Sequence, residues 1–312
     1  MTEAAPHITE QTIIRIMDVL DHTNASYSVE PLPGSYSNFT QTLRIKQEGA
    51  EPRKIVVRRY NPKNYEEGHD KPACEFHALR LLRGHGIPAP PPLLLDTDGS
   101  LLGLPGIVTG FLPGSQIEPP TEAARWGQMA ASNARMLARI HQTPFDDFDK
   151  RFLMDDDVEV AWFIKEGVIP HYMREDPDGE MIWHLVNDHW HRRRLTVPRF
   201  QHTDYWSGNI LWLGDEISAV VDWEEAGYGD PACDVAYARM EYFLEGLPEA
   251  ADTFLRVYKA ETGWQLPNLP ISELAACVRP MTDPAGWFTR PYMEERYRQF
   301  IADAKDKLLG DG

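Results

Sequence analysis

Four polar side chains with defined spacing stand out in the segment 200–223. His202 and Asp204 are separated by one residue, Asn209 follows five residues after Asp204, and Asp222 ends an apolar run. An aspartate can orient an attacking hydroxyl, while an amide oxygen and a second carboxylate can hold the Mg²⁺ that bridges the phosphates of a nucleotide. Mg²⁺ prefers oxygen ligands and keeps part of its water shell, so two protein side chains suffice. The set therefore points to phosphoryl transfer.

Each of these residues, taken alone, also has a structural explanation. An Asp near an Asn commonly forms a turn or caps a helix, and an Asp at the end of a strand is commonly a loop residue. The joint spacing argues against that explanation for the whole set, because phosphoryl transfer needs all of these side chains at once.

The pattern His-x-Asp-(x)4-Asn, with Asp-Trp-Glu downstream, resembles the catalytic loop and metal-binding aspartate of the protein-kinase-like superfamily. It is most similar to the aminoglycoside phosphotransferase and choline kinase branch, which also carries the Gly-Asp-Pro-Ala-Cys-Asp feature found at 229–234. The resemblance implies that Asp204 is catalytic and that Asn209 and Asp222 bind Mg²⁺, with ATP or GTP as the phosphoryl donor. Trp206 stands where protein kinases carry a lysine, which favours a small-molecule acceptor.

The same resemblance assigns a phosphate-binding role to Arg58. This residue lies on an alternating strand, 54–60, at the position of the kinase lysine that contacts the nucleotide phosphates. An arginine there keeps a permanent charge on a planar fork that suits phosphate. Glu75, on the helix predicted around 75–82, is its expected partner. A solvated arginine and a solvated glutamate are the alternative.

Further nucleotide contacts follow only from the resemblance. Ser35 and Ser37 lie in the turn where a kinase-like fold covers the phosphates, although that turn holds a single glycine and a plain hairpin is the alternative. Gly110, Phe111 and Leu112 follow a buried strand and occupy the expected hinge, where they would contact adenine. For each of these three, a core strand and loop is the competing explanation.

The elements that carry these residues change character near residue 113. Residues 1–113 combine short predicted strands with a helix near the N-terminus and a second helix around 75–82. Residues 114–312 are mostly helical in periodicity. With the resemblance, this predicts an α+β, two-lobed protein-kinase-like fold. The small lobe has an antiparallel sheet plus helix, binds the nucleotide and ends in the hinge. The large lobe is mostly helical, catalytic and substrate-binding.

Composition limits the partners. The chain has 312 residues, with 31 basic and 48 acidic side chains, so its net charge of −17 argues against nucleic-acid and membrane-surface binding. The same charge suits a cationic or neutral acceptor. Three scattered cysteines are too few for a disulfide framework, and we find neither a signal peptide nor an apolar run long enough to span a membrane. A cytoplasmic location is the expectation.

The sequence thus predicts a small-molecule kinase that transfers the γ-phosphate of ATP or GTP to a hydroxyl group. A cationic acceptor such as an aminoglycoside is one candidate. The alternatives are another metabolic kinase of the superfamily, acting on choline, homoserine, methylthioribose or a fructosamine, and a nucleotide-binding pseudokinase. The intact Asp204, Asn209 and Asp222 argue against the pseudokinase. The acceptor, the choice between ATP and GTP, the oligomeric state and any link to antibiotic resistance stay open.

Overall fold

The computed structural model describes residues 8–32, 38–64, 69–117, 123–155, 160, 163–164 and 167–310. The chain divides into two compact units, Met1–Gly114 with Leu211–Glu225 and Ser115–Ile210 with Ala226–Gly312. The segment that carries Asp222 therefore packs with the first unit. The lobe boundary expected at 113/114, as a division between nucleotide binding and catalysis, stays a prediction.

The first unit is built on a five-stranded antiparallel sheet in the order β1-β2-β3-β5-β4. Its strands are β1 Ser26–Pro31, β2 Phe39–Lys46, β3 Arg53–Arg59, β4 Pro92–Asp96 and β5 Gly106–Gly110. Its helices are α1 Glu10–Val19 and α2 Lys71–Gly84, with a 3-10 turn at Pro62–Asn64. The hairpin β8 Ile210–Leu213 and β9 Glu216–Val220 comes from the returning segment.

Side chains alternate between the two faces of the sheet along β3, so every second residue is buried. Ile55, Val57 and Arg59 are buried, whereas Val56 and Arg58 on the other face are half-buried. The buried face packs with Ile16 and other apolar side chains of α1 into one core. Arg58 is therefore held on a rigid central strand, paired in register between β2 and β5.

The second unit is mainly helical. Helix α3 Ala123–His141 packs against α7 Pro248–Thr262, and α6 Ala232–Leu244 packs against α7 and α8 Leu269–Ala276. The remaining described helices are α4 His171–Glu175, α5 Gly179–Trp190, α9 Val278–Thr282, α10 Pro284–Trp287 and α11 Met293–Gly310. A small sheet joins β6 Met154–Asp155, β10 Gly227–Gly229 and β7 Arg199–Gln201, and 3-10 turns form at Asp149–Arg151 and Ser207–Asn209.

None of the described helices combines the length and the apolar content needed to cross a bilayer.

Candidate active site

The loop after β7 is held by a buried carboxylate. Asp234, on α6, accepts the backbone N–H of His202 at 2.8 Å and that of Thr203 at 2.7 Å. Thr203 adopts a left-handed φ of 66°, a strained conformation for a β-branched residue. The two hydrogen bonds supply the constraint that maintains this strain, and they fix the backbone immediately before Asp204.

Asp234 is stabilised as an anion in spite of its complete burial. Burial raises the pKa of this carboxyl, but the hydrogen bond and charge of His141, with smaller contributions from His202, lower it below its usual value. His141 Nε2 lies 3.0 Å from Asp234 Oδ2, and His141 Nδ1 lies 2.6 Å from the Tyr258 hydroxyl. A chain of buried partners therefore supports the loop.

Asp204 and Asn209 are brought together by the 3-10 turn Ser207–Asn209. Asn209 Nδ2 donates to Asp204 Oδ2 at 2.8 Å and to the Asp204 backbone carbonyl at 2.9 Å. Both donations orient the amide, so its oxygen points away from Asp204. Within the described part of the chain, that oxygen accepts no hydrogen bond. An oriented amide oxygen of this kind is a suitable ligand for a hard cation.

Arg279, on α9, contacts Asp204 and was not found from the sequence. Its Nη1 donates to Asp204 Oδ1 at 3.1 Å and its Nη2 donates to the Thr203 carbonyl at 2.8 Å. The guanidinium lies over the Tyr237 ring, 4.4 Å from its centroid. Two fixed hydrogen bonds and a stacked face leave the arginine little rotamer freedom, so it restrains the Asp204 carboxylate.

Asp204 also influences two acidic groups on α6. Burial raises the pKa of Glu241 to about 8, and the charges of Asp204 and Glu245 add to this effect. Burial likewise raises the pKa of the Tyr237 hydroxyl well above its ordinary value, and the charges of Asp204 and Glu241 raise it further. The surroundings of Asp204 therefore disfavour further negative charge.

In the first unit, the structure joins the predicted pair. Arg58 Nη1 lies 3.3 Å from Glu75 Oε1, and Tyr60 donates its hydroxyl to Glu75 Oε2. Burial raises the pKa of Glu75 to about 7, Arg58 lowers it, and Asp222 raises it again. The pair is thus a real contact between β3 and α2.

Arg58 serves two further carboxylates. Its Nη2 lies 2.6 Å from Asp222 Oδ1 and 2.5 Å from Glu224 Oε2. Burial lowers the pKa of Arg58, but the charges of Asp222 and Glu75 more than offset this, so the net pKa is raised well above the ordinary value. Glu224 is therefore an acceptor that shares Arg58 with Asp222 and Glu75.

Glu224 is anchored by two more donors. Lys71 Nζ lies 3.3 Å from Glu224 Oε1, and Asn38 Nδ2 donates to Glu224 Oε2 at 2.5 Å. Lys71 also pairs with Glu225 at 3.1 Å. Four carboxylates thus share two cations here, so this cluster carries an excess of negative charge. Asp222, with φ at 69°, stands at the end of this cluster.

Two of the three expected hinge residues have backbone N–H groups that are already hydrogen-bonded. Gly110 N donates to the Pro91 carbonyl at 2.7 Å and Phe111 N donates to the Lys54 carbonyl at 3.2 Å. Leu112 follows in irregular, half-buried backbone. The adenine contact of these residues stays a prediction, and it has to come from carbonyl oxygens, side chains or the segment after Phe111. Ser35 and Ser37 lie outside the described residues.

The sequence profile of the phosphotransferase enzyme family matches residues 28–267 of this chain, which is more than half of its length. The chain belongs to the phosphotransferase enzyme family. The resemblance deduced from the catalytic stretch is thereby confirmed.

Curated relatives are distant. Acyl-CoA dehydrogenase family member 10 of Mus musculus is 28% identical over 183 residues, covering 54% of this chain and 17% of that protein. The 4-hydroxytryptamine kinase of Psilocybe cyanescens is 22% identical over 247 residues, covering 70% of this chain and 68% of that protein. The chain therefore spans only about a sixth of the length of the mouse relative.

Solved structures confirm the predicted fold. A choline/ethanolamine kinase family protein from Mesorhizobium loti superposes with a TM-score of 0.58 at 17% identity, covering 95% of this chain and 92% of that one. An amicoumacin kinase in complex with AMP-PNP and Ca²⁺ gives a TM-score of 0.58 at 16% identity, covering 89% and 88%. At such identities, the likeness establishes the kinase-like α+β fold alone.

Proposed function

We propose that this member of the phosphotransferase enzyme family transfers the γ-phosphoryl group of ATP or GTP to a hydroxyl group of a small molecule. The observation that carries the proposal is Asp204, a carboxylate restrained on one oxygen by Asn209 and on the other by Arg279. Phosphoryl transfer depends mainly on positioning and electrostatics, and a carboxylate fixed in this way can orient an acceptor hydroxyl.

Asp204 is proposed to accept a hydrogen bond from the acceptor hydroxyl and finally its proton. The acceptor oxygen forms a bond to the γ-phosphorus while the bond from that phosphorus to the bridging oxygen breaks, and the nucleoside diphosphate leaves with the bond's electrons. Each carboxylate oxygen has more than one acceptor direction, so Asn209 and Arg279 leave room for the hydroxyl.

Asn209 and Asp222 are proposed to hold Mg²⁺. The donor set fits, because the Asn209 amide oxygen is oriented without a hydrogen bond among the described residues and Asp222 belongs to a cluster with excess carboxylate charge. When bound, the metal supplies charge neutralisation at the phosphates. Arg58 is proposed to exchange part of its carboxylate contacts for phosphate oxygens, with Glu75 keeping its position. Ser35, Ser37, Gly110, Phe111 and Leu112 remain proposed nucleotide contacts.

The acceptor is tested by a panel of hydroxyl compounds with nucleotide consumption as the readout. The panel contains aminoglycosides, choline, homoserine, methylthioribose and a fructosamine, together with neutral alcohols. Asp204→Ala provides the blank, and ³¹P NMR identifies the phosphate ester. We expect an acceptor-dependent product that is absent from the blank. Nucleotide binding with no ester from any acceptor would instead favour a pseudokinase, and equal product from Asp204→Ala would refute the catalytic role.

A further inference from the structure

A cavity opens in the second unit beside the loop that carries Asp204. Its walls enclose about 700 Å³ of space, with the open solvent at its mouth included. Apolar side chains supply much of its described wall. They include Val160 and Phe163, Tyr237 of α6, Ala275 and Ala276 at the end of α8, and Val278 of α9.

The described wall also contains polar side chains. Arg279 is the one lining residue with a full charge among them, Thr203, Ser272 and Thr282 provide hydroxyls, and Gln201 provides an amide. The described lining residues include no carboxylate, so an ammonium group inside this cavity would lose its water without gaining a partner of opposite charge, which is unfavourable. An aliphatic or aryl group would replace water along the apolar wall, which is favourable.

Two of the lining residues tie the cavity to Asp204. Thr203 precedes Asp204 directly, and Arg279 donates both to Asp204 Oδ1 at 3.1 Å and to the Thr203 carbonyl at 2.8 Å. The ring of Tyr237 also lines the cavity, and the Arg279 guanidinium carbon lies 4.4 Å from the centroid of this ring. A molecule that fills the cavity therefore touches the groups that restrain the proposed catalytic carboxylate.

From this arrangement we infer that the cavity binds an apolar arm of the acceptor, so that the substrate is an alcohol attached to an aliphatic or aryl group and not a polycation. The inference rests on the proposed phosphotransferase function and names the substrate class of the same site. The arm lies against Phe163, Ala276 and Val278, and the hydroxyl is presented at Asp204, where it takes up the phosphoryl group and loses its proton.

The first test measures binding without nucleotide. The probes are 1-hexanol and 6-amino-1-hexanol, which share a six-carbon chain and differ by the terminal ammonium group, and calorimetric titration gives their affinities. We expect 1-hexanol to bind about tenfold tighter or more, since burying methylene groups is favourable and burying an ammonium is not. Equal affinities, or tighter binding of the amine, would overturn the inference.

The matched variants change the wall. Ala276→Phe fills the cavity and should weaken 1-hexanol binding about tenfold or more, whereas Ala302→Phe adds the same ring to an exposed position of α11 and should leave it unchanged. If Ala276→Phe does not fold, Ala275→Leu replaces it, because leucine fills less of the cavity than phenylalanine does. Unchanged affinity in a folded cavity variant would contradict the assigned site.

The second test uses turnover and separates this inference from the proposed function. For straight-chain primary alcohols with three to six carbons, kcat/KM should rise about three- to fourfold per methylene, and Ala276→Phe should remove the increase. Phosphorylation of cationic alcohols without any chain-length effect would refute the apolar arm and keep the kinase. Cavity binding in the first test without ester from any alcohol would refute the kinase and keep the cavity.

Discussion

Glu241 should make the stability of the protein fall as the pH rises. Burial raises its pKa to about 8 from the ordinary 4.5, the charges of Asp204 and Glu245 contribute, and Arg279 and a hydrogen bond from Tyr237 oppose the shift only in part. The folded state therefore keeps a proton that the unfolded chain has released. This contribution to stability is fully present below pH 4.5 and is lost as the pH rises to about 8.

The size of the effect follows from the shift. The difference of 8 − 4.5 = 3.5 pKa units corresponds to a ceiling of ~5 kcal/mol, because one unit is worth about 1.4 kcal/mol. The side chain is only half-buried, so solvent screens part of this and we expect ~2–3 kcal/mol. Glu241→Gln keeps the shape of the protonated acid and cannot ionise.

Urea denaturation, followed by tryptophan fluorescence at pH 5, 7 and 8.5, measures the effect. The two proteins should have similar free energies of unfolding at pH 5, and Glu241→Gln should be more stable by ~2–3 kcal/mol at pH 8.5. Glu295→Gln, at an exposed position of α11, is the control and should follow the wild type. Parallel pH dependences for wild type and Glu241→Gln would refute the reasoning.

Two further substitutions test the loop around the proposed catalytic carboxylate. Asp234→Ala leaves the buried N–H groups of His202 and Thr203 without their acceptor, so the free energy of unfolding should fall by ~2–5 kcal/mol in urea denaturation. A decrease below ~1 kcal/mol would contradict the role of Asp234 in holding the loop. Arg279→Gln removes the charge-assisted hydrogen bonds to Asp204 Oδ1 and the Thr203 carbonyl, so kcat should fall about ten- to a hundredfold while nucleotide affinity stays unchanged. Arg279→Lys should recover part of the kcat. A wild-type kcat in Arg279→Gln would exclude the positioning role.

The local parts of the site were predictable because local rules govern them. Asp204 and Asn209 are five residues apart, and a single 3-10 turn brings their side chains together. Arg58 lies on a regular strand, so alternation indicated its face, whereas Glu75 followed from the family resemblance alone. The family resemblance then supplied the pairing, which the structure contains.

The missed residues depend on tertiary contacts that no sequence period encodes. Arg279 reaches Asp204 across 75 positions from a short helix in a region read only as generally helical. Lys71 reaches Glu224 across 153 positions, because the segment 211–225 returns to the first unit. Arginines and lysines that lie close to Asp or Glu in a sequence are common, so the sequence around Arg279 and Lys71 gave no signal of these contacts.

The role of Asp204 is tested most directly by Asp204→Asn, measured for turnover and for nucleotide binding in the same preparation. The substitution keeps the size of the side chain and removes its negative charge, so the acceptor hydroxyl loses its proton acceptor. With the acceptor found in the panel, kcat should fall at least about a hundredfold, while the nucleotide dissociation constant and the melting temperature stay near wild-type values. Turnover close to wild type in a folded, nucleotide-binding Asp204→Asn protein would contradict the proposed mechanism.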